Sequence, residues 1–456
     1  MAARSSAKGP MTVLATSDSG FEKRFAALCD RRFAADGGVE KSVRKIIDQV
    51  RDGGDDALTA LVKKHDGAKV GALEVTKNEW EAGIEAIEPA DRAALGKAAM
   101  RVREFHRRRI PSGWEMKEEG GALLGVKVRP LSRVAVYVPG GKAAYPSSVI
   151  MSAVPASVVD VPEIVMATPP QPDGTLRPDV LMAARLAGVH RIFKMGGAHA
   201  IAALAYGTET VPAVDKIVGP GSVWVATAKS LVFGQVAIDS EAGPSEILIV
   251  ADRSATAAWV AADLLSQAEH DEVACPILVT STKGLVTKVQ DQLGKQLKKL
   301  DRAKIAKQSI QDRGAIIVTK NLDESIAIAN RYAPEHLVLA CEKPDVVLKS
   351  VENAGAVFLG HYTPEAVGDY LAGPSHVLPT GGTARFFSPL GVEDFVKRMS
   401  FMRFEPPKMR ELGNEVIRLA ELEGLTGHAN AVELRLQKIR RARREREAAR
   451  EAELEI

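Results

Sequence analysis

Two short polar motifs lie beside apolar segments of the chain. In LLSQAEH, residues 264–270, Gln267 and His270 are three apart at the end of an apolar run, 259–265, that predicts a buried helix. Side chains at this spacing leave a helix on the same face, which is the geometry of a chelating pair. A Gln-x-x-His pair alone is a weak metal signal, because a lone histidine is more often structural. The pair therefore predicts a metal site only if further ligands converge on it.

The second motif places a carboxylate next to an imidazole. Glu335 and His336 are adjacent in the segment APEH and precede LVLA, which predicts a short buried strand. Both side chains would therefore lie together at the end of a core element. Because a histidine can accept a proton from a substrate and a carboxylate can activate water, the pair suits general acid–base catalysis.

Further carboxylates and imidazoles occur near the C-terminus. Asp369 and His376 lie in a Gly/Pro-rich region, and Glu423 and His428 form a similar pair in EGLTGH. Carboxylate, amide and imidazole groups are hard or borderline ligands, which suit Zn²⁺, Mn²⁺ or Mg²⁺ rather than copper(I). Two imidazoles favour zinc among these metals.

Size and composition restrict the class of protein. A chain of 456 residues predicts at least two domains, because it is too long for one hydrophobic core. The net charge of +3 gives no general argument for a nucleic-acid or membrane partner. Three widely separated cysteines argue against a disulfide framework and favour a reducing cytoplasm. The N-terminus lacks the apolar segment of a signal peptide, so secretion is not expected.

The alternation of segments predicts an α/β fold. Residues 21 to about 110 have a helical pattern. Short β-branched runs then alternate with helical segments between 133 and 252 and again between 276 and 360, which is typical of βα units. We therefore predict two Rossmann-like (incomplete) parallel-sheet units with helical N-terminal and C-terminal extensions.

Glycine-rich turns follow three of the predicted strands. They are the segments 139–142, 196–197 and 219–221. Such turns allow backbone N–H groups to approach an anion such as the pyrophosphate of a dinucleotide. Open α/β sheets bind ligands at this edge, so the turns predict a cofactor cleft, although none has the GxGxxG pattern and each could be a plain turn.

The order of these motifs resembles that of the histidinol dehydrogenase family. The resemblance extends from about residue 20 to 435 and is carried by GGKAAYPSSV, GPSEILIVAD, LLSQAEH, YAPEHL, VGDYLAGPSHVLPTGGTARF and EGLTGHANAV. It implies a zinc- and NAD-dependent enzyme that catalyses the last steps of histidine biosynthesis. The implied reaction is a four-electron oxidation of L-histidinol through L-histidinal to L-histidine, with two NAD and one water.

The resemblance also implies roles for individual residues. It assigns proton transfer with the substrate hydroxyl to His336 and activation of water to Glu335. The implied zinc ligands, which would also touch the substrate, are Gln267, His270, Asp369 and His428. The zinc itself would bind the substrate's imidazole and amine. The other implied substrate contacts are Ser245, His336, His376 and Glu423.

Cofactor contacts are implied at three positions. The nicotinamide dinucleotide would lie against Tyr137, with further contacts at His199 and Ser222. The family usually has Gln and Asn at the last two positions, so cofactor affinity or orientation can differ in this chain. Ser375 similarly stands where Asn is common before His376.

Motifs and resemblance together predict the division of the chain. Residues 1–20 would form a flexible N-terminus, and 21–136 with 247–387 would form a zinc-binding and catalytic α/β domain with a helical N-terminal part. Residues 137–246 would form the NAD-binding Rossmann-like domain. The resemblance implies a homodimer with shared active sites, in which segment 388–434 docks on the partner subunit and delivers His428 to the zinc of that subunit.

The last residues, 435–456, predict a charged helical tail. They are rich in arginine and glutamate, with pairs at helical spacing such as Arg441 and Glu445. A nucleic-acid-binding protein that uses this tail is one alternative function. The interleaved glutamates argue against it, because they weaken the positive field that phosphate binding requires.

Two enzymatic alternatives also remain. A homologous zinc-dependent dehydrogenase could oxidise another alcohol, such as a sulfonated diol, to an acid. Glu423 argues against this substrate, because a carboxylate suits an ammonium group and repels a sulfonate. A zinc hydrolase is disfavoured because four protein ligands would leave the metal without the usual open position for water.

Overall fold

The computed structural model describes residues 9–31, 37–140, 145–240 and 243–454. The chain divides into two compact units. The first comprises Met1–Ile110 and Pro130–Phe395, and the second comprises Pro111–Arg129 and Val396–Ile456.

The secondary structure alternates as predicted through most of the first unit. The strands are β1 (Thr12–Ala15), β2 (Trp114–Glu118), β3 (Ala122–Pro130), β4 (Arg133–Tyr137), β5 (Glu163–Thr168), β6 (Arg191–Lys194), β7 (Lys216–Val218), β8 (Ala237–Ile238), β9 (Glu246–Ala251), β10 (Cys275–Thr280), β11 (Ala315–Val318), β12 (His336–Ala340), β13 (Ala356–Leu359) and β14 (Val396–Phe404). The helices are α1 (Phe21–Cys29), α2 (Gly37–Leu61), α3 (Lys77–Glu85), α4 (Pro89–Arg107), α5 (Pro146–Val158), α6 (Pro178–Ala187), α7 (Gly197–Tyr206), α8 (Val223–Val232), α9 (Ala257–Ala268), α10 (Lys283–Gln296), α11 (Ala303–Asp312), α12 (Leu322–Tyr332), α13 (Pro344–Leu348), α14 (Glu365–Tyr370), α15 (Pro406–Leu422) and α16 (Thr426–Leu454).

The first unit contains two parallel sheets with the same internal order. The five-stranded sheet has the order β6-β5-β4-β7-β8. The six-stranded sheet has the order β1-β11-β10-β9-β12-β13. Counted within each sheet from β4 or from β9, both orders contain 3-2-1-4-5, which is the doubly-wound order without its sixth strand. The predicted fold class of two incomplete Rossmann-like units is therefore confirmed.

Burial explains why these segments form parallel strands. Every residue of β9, β10 and β12 is buried, as expected for strands that are covered by helices on both faces. The apolar residues around the six-stranded sheet form two clusters, one of which includes residues of α9, α10 and α11, and the other residues of α1 and α12. The sheet is thus buried within an apolar core.

The N-terminal helices pack against helices of the five-stranded sheet. Helix α2 contacts α7 and α8, α3 contacts α6, and α4 contacts α5 and α6. Gly54 interrupts α2 with a positive φ of 52°, a conformation that glycine adopts at little cost. The helical pattern predicted from residue 21 to about 110 is therefore present, with α1 beside the six-stranded sheet and α2, α3 and α4 on helices of the five-stranded sheet.

One short strand lies within the segment predicted to be a flexible N-terminus, residues 1–20. Residues 12–15 form β1, which pairs in parallel with β11 at the edge of the six-stranded sheet. Leu14 is buried in the core, and the main-chain hydrogen bonds to β11 order this segment. The tetrapeptide TVLA is too short to predict a strand, because its pairing partner is some 300 residues away in sequence.

The second unit combines a small sheet with two helices. The sheet has the order β14-β3-β2, in which β2 and β3 are antiparallel, and α15 packs against α16. Helix α16 continues without a break into the arginine-rich tail, where the predicted ion pair between Arg441 and Glu445 has a distance of 2.8 Å. Among the described residues, no helix is both long enough and apolar enough to span a bilayer.

Candidate functional site

The predicted catalytic pair lies at the amino end of β12. Helix α12 ends at Tyr332, and Ala333 then adopts a left-handed conformation with φ of 51°. This left-handed residue reverses the chain at the helix end, and Pro334 prevents the helix from continuing. Glu335 and His336 therefore reach the edge of the sheet where β12 begins, beside the first residues of β9.

The ring of His336 is buried and has one unpaired nitrogen. Its Nδ1 lies 2.9 Å from the carbonyl oxygen of Glu246, which can only accept a hydrogen bond. The proton therefore resides on Nδ1, and Nε2 carries the lone pair. Nε2 has no hydrogen-bond partner in the described part of the chain. Burial lowers the pKa of His336 to about 4, so the ring is neutral and able to accept a proton at pH 7.

Glu335 is equally buried and directly adjacent. Its Oε2 accepts a hydrogen bond of 2.7 Å from the backbone N–H of Glu246 and lies 3.6 Å from His336 Nδ1. Burial is the main cause that raises the pKa of Glu335 well above its usual range, and the nearby Glu246 carboxylate raises it further. A carboxylate with a raised pKa is a stronger base once it is ionised.

A group of possible metal ligands lies between α9 and α14. His270, Glu365 and Asp369 each offer a ligand atom, and these three atoms lie within 4.8 Å of one another. With its amide NH₂ facing the acceptors, Gln267 donates to Glu365 Oε1 at 2.7 Å and to the Glu246 carbonyl oxygen at 3.1 Å. This orientation leaves the amide oxygen of Gln267 as the atom available to a metal.

The charges of this group fit a divalent cation. Burial raises the pKa of Asp369 to about 6 and raises the pKa of Glu365 well above its usual value, with Asp369 as a further cause. Burial lowers the pKa of His270, and Arg302 lowers it further. Desolvated carboxylates and a neutral imidazole both favour a bound metal ion, which would supply the missing positive charge.

His376 and Asp369 connect this group to the catalytic pair. His376 Nδ1 lies 3.1 Å from the Asp369 carbonyl oxygen, and His336 Nε2 lies 3.8 Å from Asp369 Oδ1. His376 Nε2 lies 3.4 Å from the hydroxyl of Ser148. Ser375 is buried and donates to the carbonyl oxygen of Met151 rather than to His376. The structure thus brings His376 to the same place as the predicted catalytic pair.

The remaining predicted substrate residues are in two places. Ser245 is half-buried and directly precedes Glu246 at the start of β9, so its backbone adjoins the catalytic pair. Glu423 and His428 belong to the second compact unit, where both are exposed around the turn between α15 and α16. The predicted metal-binding, catalytic and substrate residues that cluster here therefore all belong to the first unit, whereas Glu423 and His428 belong to the second.

Three residues near the catalytic pair were not predicted from the sequence. Glu365 is four residues before Asp369 on α14, so the two carboxylates share a helix face, and this spacing was a usable signal. Glu246 and Arg31 form a buried ion pair beside Glu335. No local pattern indicates that pair, because 215 residues separate its members.

The predicted cofactor residues lie at the carboxyl edge of the five-stranded sheet. Tyr137 ends β4, and its hydroxyl accepts a hydrogen bond of 3.0 Å from the N–H of Gly197. Burial raises the pKa of Tyr137 to about 12. His199 is buried, with Nε2 3.1 Å from Asp66 Oδ2, whereas Ser222 is exposed at the N-terminus of α8. This edge includes the strand-order reversal between β4 and β7, where doubly-wound sheets bind ligands.

Glycine N–H groups of the turns at this edge were predicted to be able to approach an anion, but three of them bind protein acceptors instead. The N–H of Gly196 donates to Asp66, that of Gly197 donates to the hydroxyl of Tyr137, and that of Gly219 donates to Asp239. Because these N–H groups already have protein acceptors, they are not available to a pyrophosphate in this conformation. Part of the first predicted turn, residues 141–142, lies outside the described residues.

The amino-acid sequence is similar to that of known proteins over most of its length. The family model described as histidinol dehydrogenase matches residues 30–436. A histidinol dehydrogenase of Geobacter sulfurreducens is 53% identical over 430 residues, which cover 94% of this chain and 100% of that protein. One of Clostridium acetobutylicum is 47% identical over 416 residues, covering 91% of this chain and 96% of that protein.

A solved structure is similar as well. The crystal structure of histidinol dehydrogenase from Elizabethkingia anophelis aligns with a TM-score of 0.90 at 33% sequence identity. The alignment covers 95% of this chain and 100% of that chain. The charged tail after residue 436 lies beyond the range of the family match.

Proposed function

The chain belongs to the histidinol dehydrogenase family, and we propose that Glu335 and His336 perform the proton transfers in its NAD-dependent oxidation of L-histidinol through L-histidinal to L-histidine. One observation carries the assignment of these residues. A neutral imidazole with an unpaired Nε2 lies beside a buried carboxylate, at the edge of a group of possible metal ligands.

His336 acts as the base toward the substrate hydroxyl. Its Nε2 accepts the proton of the alcohol while hydride transfers to NAD, and the ring then releases this proton to solvent. The neutral ring can therefore accept a second proton, from the hydrate of the aldehyde, while hydride transfers to a second NAD. The hydrogen bond from Nδ1 to the Glu246 carbonyl oxygen keeps the ring in the required tautomer. This contact also stabilises the positive charge that develops on the ring as it is protonated.

Glu335 acts on the water. In its ionised form it removes a proton from the water that attacks histidinal, which forms the hydrate for the second oxidation. The N–H of Glu246 holds one carboxylate oxygen in place, so the other oxygen is left for the water. Burial of both groups limits the access of other water molecules during the reaction.

We further propose that the metal is zinc, held by Gln267, His270, Asp369 and His428. Nitrogen and oxygen donors of this kind suit zinc, and the grouping of His270 and Asp369 supports the assignment. When bound, the ion would hold the imidazole and amine of histidinol and so orient the alcohol carbon. Glu365 would fix the amide of Gln267 through their 2.7 Å hydrogen bond. His376, Ser245 and Glu423 would contact the remaining parts of the substrate.

For the cofactor, we propose a position along the carboxyl edge of the five-stranded sheet. Tyr137, His199 and Ser222 all lie at this edge, which supports the proposal. Since His199 is hydrogen-bonded to Asp66, its contribution would be to the shape of the Gly196–Gly197 turn. We retain residues 137–246 for the cofactor and 247–387 for the metal, as predicted. The prediction also placed residues 21–136 in the metal domain, but helices α2, α3 and α4 of that segment contact helices of the five-stranded sheet.

Substrate preference tests the proposed function. We expect the purified protein to reduce NAD with L-histidinol far faster than with other amino alcohols or with a sulfonated diol, because imidazole, amine and alcohol would all be recognised. The measurement is steady-state NADH production at 340 nm with each alcohol. Faster turnover of a sulfonated diol would instead support the alternative dehydrogenase.

We propose a homodimer in which each active site is shared. The second unit exposes the side chains of Leu419, Leu422, Leu425 and Leu434. Exposed apolar side chains of this kind support the proposal that the unit docks on another surface. His428 and Glu423 lie on the same exposed end. The proposal is that this unit docks on a second copy of the chain and completes the site of that copy.

Hybrid dimers test the shared site. We expect two inactive variants, Glu335→Gln/His336→Asn and His428→Ala, to recover activity when they are co-expressed, because one site of each hybrid then has every native residue. Random pairing would give roughly a quarter of wild-type activity. Each variant expressed alone is the control. Inactive hybrids that are dimeric and metal-loaded would mean that His428 serves its own chain.

Finally, we propose a cytoplasmic location. Cys29, Cys275 and Cys341 are free thiols, and Cys275 and Cys341 are buried. Free thiols are typical of proteins in a reducing compartment.

A further inference from the structure

A buried ion pair lies directly behind the catalytic pair. Arg31 and Glu246 approach each other through both arms, with Arg31 Nε 2.8 Å from Glu246 Oε1 and Arg31 Nη2 3.0 Å from Oε2. Their side chains are 2% and 0% exposed. Isolated charges at such positions would be costly, so each requires the other as a partner.

Glu246 contacts both catalytic residues and one predicted metal ligand. Its backbone N–H donates to Glu335 Oε2, and its Oε2 accepts from the Glu335 N–H at 3.3 Å. Its carbonyl oxygen accepts from His336 Nδ1 and lies 3.1 Å from the Gln267 amide nitrogen. A fifth contact, 2.6 Å from the N–H of Gly381 to Oε1, joins the loop after His376 to the Glu246 carboxylate.

Arg31 holds the turn that leads into the catalytic pair. Its Nη2 donates to the carbonyl oxygens of Tyr332 at 2.7 Å and Ala333 at 3.2 Å. These carbonyls are at the end of α12, where no further helical N–H groups are available to them. The guanidinium also lies 3.6 Å from the centre of the Tyr332 ring. One side chain thus fixes the left-handed Ala333, two residues before Glu335.

We propose that Arg31 and Glu246 are positioning residues, which hold Glu335, His336 and Gln267 in their reactive arrangement. The inference rests on the proposed roles of those three residues. A buried ion pair by itself contributes little net stability compared with apolar residues of the same volume. Apart from a local hydrogen bond of 3.3 Å from Arg31 Nη1 to the carbonyl oxygen of Cys29, however, the contacts of this pair described above end on the catalytic residues, on the Gln267 amide, or on the turn and loop beside them. Their effect is therefore expected on turnover more than on unfolding.

Substitution of Arg31 by Lys is the first test. Lys keeps the positive charge but cannot bind both carboxylate oxygens and both carbonyls at once. We expect kcat with histidinol to fall roughly 10- to 100-fold, because small displacements of reacting groups have effects of this size. The KM for NAD should stay unchanged, because the cofactor residues belong to the other sheet. An Arg31→Lys variant with wild-type kcat would overturn the proposal.

Arg191 provides a matched control. It binds Glu74 through both arms, at 2.8 and 2.7 Å, and donates to the Thr210 carbonyl oxygen at 3.1 Å. Arg191 therefore has the same kinds of partner as Arg31, a carboxylate and a backbone carbonyl, but its side chain is 31% exposed and it lies on the five-stranded sheet. The Arg191→Lys variant should lower the melting temperature at most and leave kcat unchanged. A fall in kcat as large as that of Arg31→Lys would show that the loss is not specific to the positioning pair.

A double variant separates positioning from stability. Arg31→Met combined with Glu246→Gln removes both charges, so that no unpaired charge stays buried. It retains the backbone N–H and carbonyl of Glu246. We expect a folded protein whose melting temperature is lowered by the loss of the donor to the Tyr332 and Ala333 carbonyls, together with the same loss of kcat at temperatures well below unfolding. A folded double variant with wild-type kcat would overturn the proposal, even if Arg31→Lys alone does not fold.

Parallel assays distinguish this proposal from the proposed function. If Glu335→Gln and His336→Asn both retain full turnover, the catalytic assignment itself is wrong. If those two variants are impaired while Arg31→Lys and the double variant are not, only the positioning role is wrong.

Discussion

Replacement of His336 by Asn is expected to slow both oxidation steps by roughly 10²- to 10⁴-fold, which is the usual range for loss of a general base. Asn keeps a polar group of similar size but has no nitrogen that can accept a proton. Because His336 Nε2 is the unpaired acceptor at the site, both the alcohol and the aldehyde hydrate depend on it. The measurement is kcat for histidinol and, separately, for histidinal.

Replacement of Glu335 by Gln should affect the oxidation and the reduction of histidinal to different extents. Gln keeps the shape of the side chain but cannot remove a proton from water. We therefore expect a larger loss in histidinal oxidation than in histidinal reduction by NADH, which requires no attacking water. His336→Asn, which should impair both directions, is the matched comparison. Equal losses in the two directions for Glu335→Gln would refute the separate roles.

Removal of the metal should abolish turnover and spare the binding of dinucleotide. His270, Glu365 and Asp369 lie beside the six-stranded sheet, whereas Tyr137 ends β4 of the five-stranded sheet and His199 lies on α7, which follows β6 of that sheet. Loss of the ion would therefore affect the placement of histidinol without removing a cofactor contact. Turnover would be measured after dialysis against a chelator, and NADH binding by its fluorescence.

Restoration distinguishes metal loss from damage to the protein. Addition of zinc to the dialysed protein should return the activity, and a sample dialysed without chelator is the control. Full activity in a preparation verified to be free of metal would contradict the proposed site. Loss of NADH binding together with activity would show that the two sites are not separate.

The two ends of the sheets are used differently in this chain. Tyr137 and the glycine turns lie at the carboxyl ends of their strands, which is usual for ligand sites of open α/β sheets. Glu246 and His336 instead begin β9 and β12, so the proposed catalytic pair lies at the amino edge of the other sheet. The glycine turns in the sequence therefore predict a ligand site at the carboxyl edge of the five-stranded sheet. They do not predict a site at the amino edge of the six-stranded sheet.

Short spacings in the sequence were sufficient to predict that several of the proposed site residues lie close together. Glu335 and His336 are neighbours in the chain, and Gln267 and His270 are three residues apart, so the proximity of each pair requires no knowledge of the fold. The predicted shared helix face is wrong in detail, because α9 ends at Ala268, before His270. The same spacing argument would have predicted Glu365 from Asp369. The two parallel sheets were also predictable, because buried parallel strands are rich in β-branched residues and occur in the sequence as short runs of them.

The tertiary structure alone decided which distant residues meet. The sequence by itself determined the kinds of elements and the residues able to do chemistry, since these depend on composition and short-range period. It did not determine that Glu246 lies against Glu335, 89 residues away, or that Arg31 pairs with Glu246, 215 residues away. Those contacts follow from the order and register of parallel strands, with β9 beside β12. Strand order depends on how the whole core is buried, and no local segment encodes it.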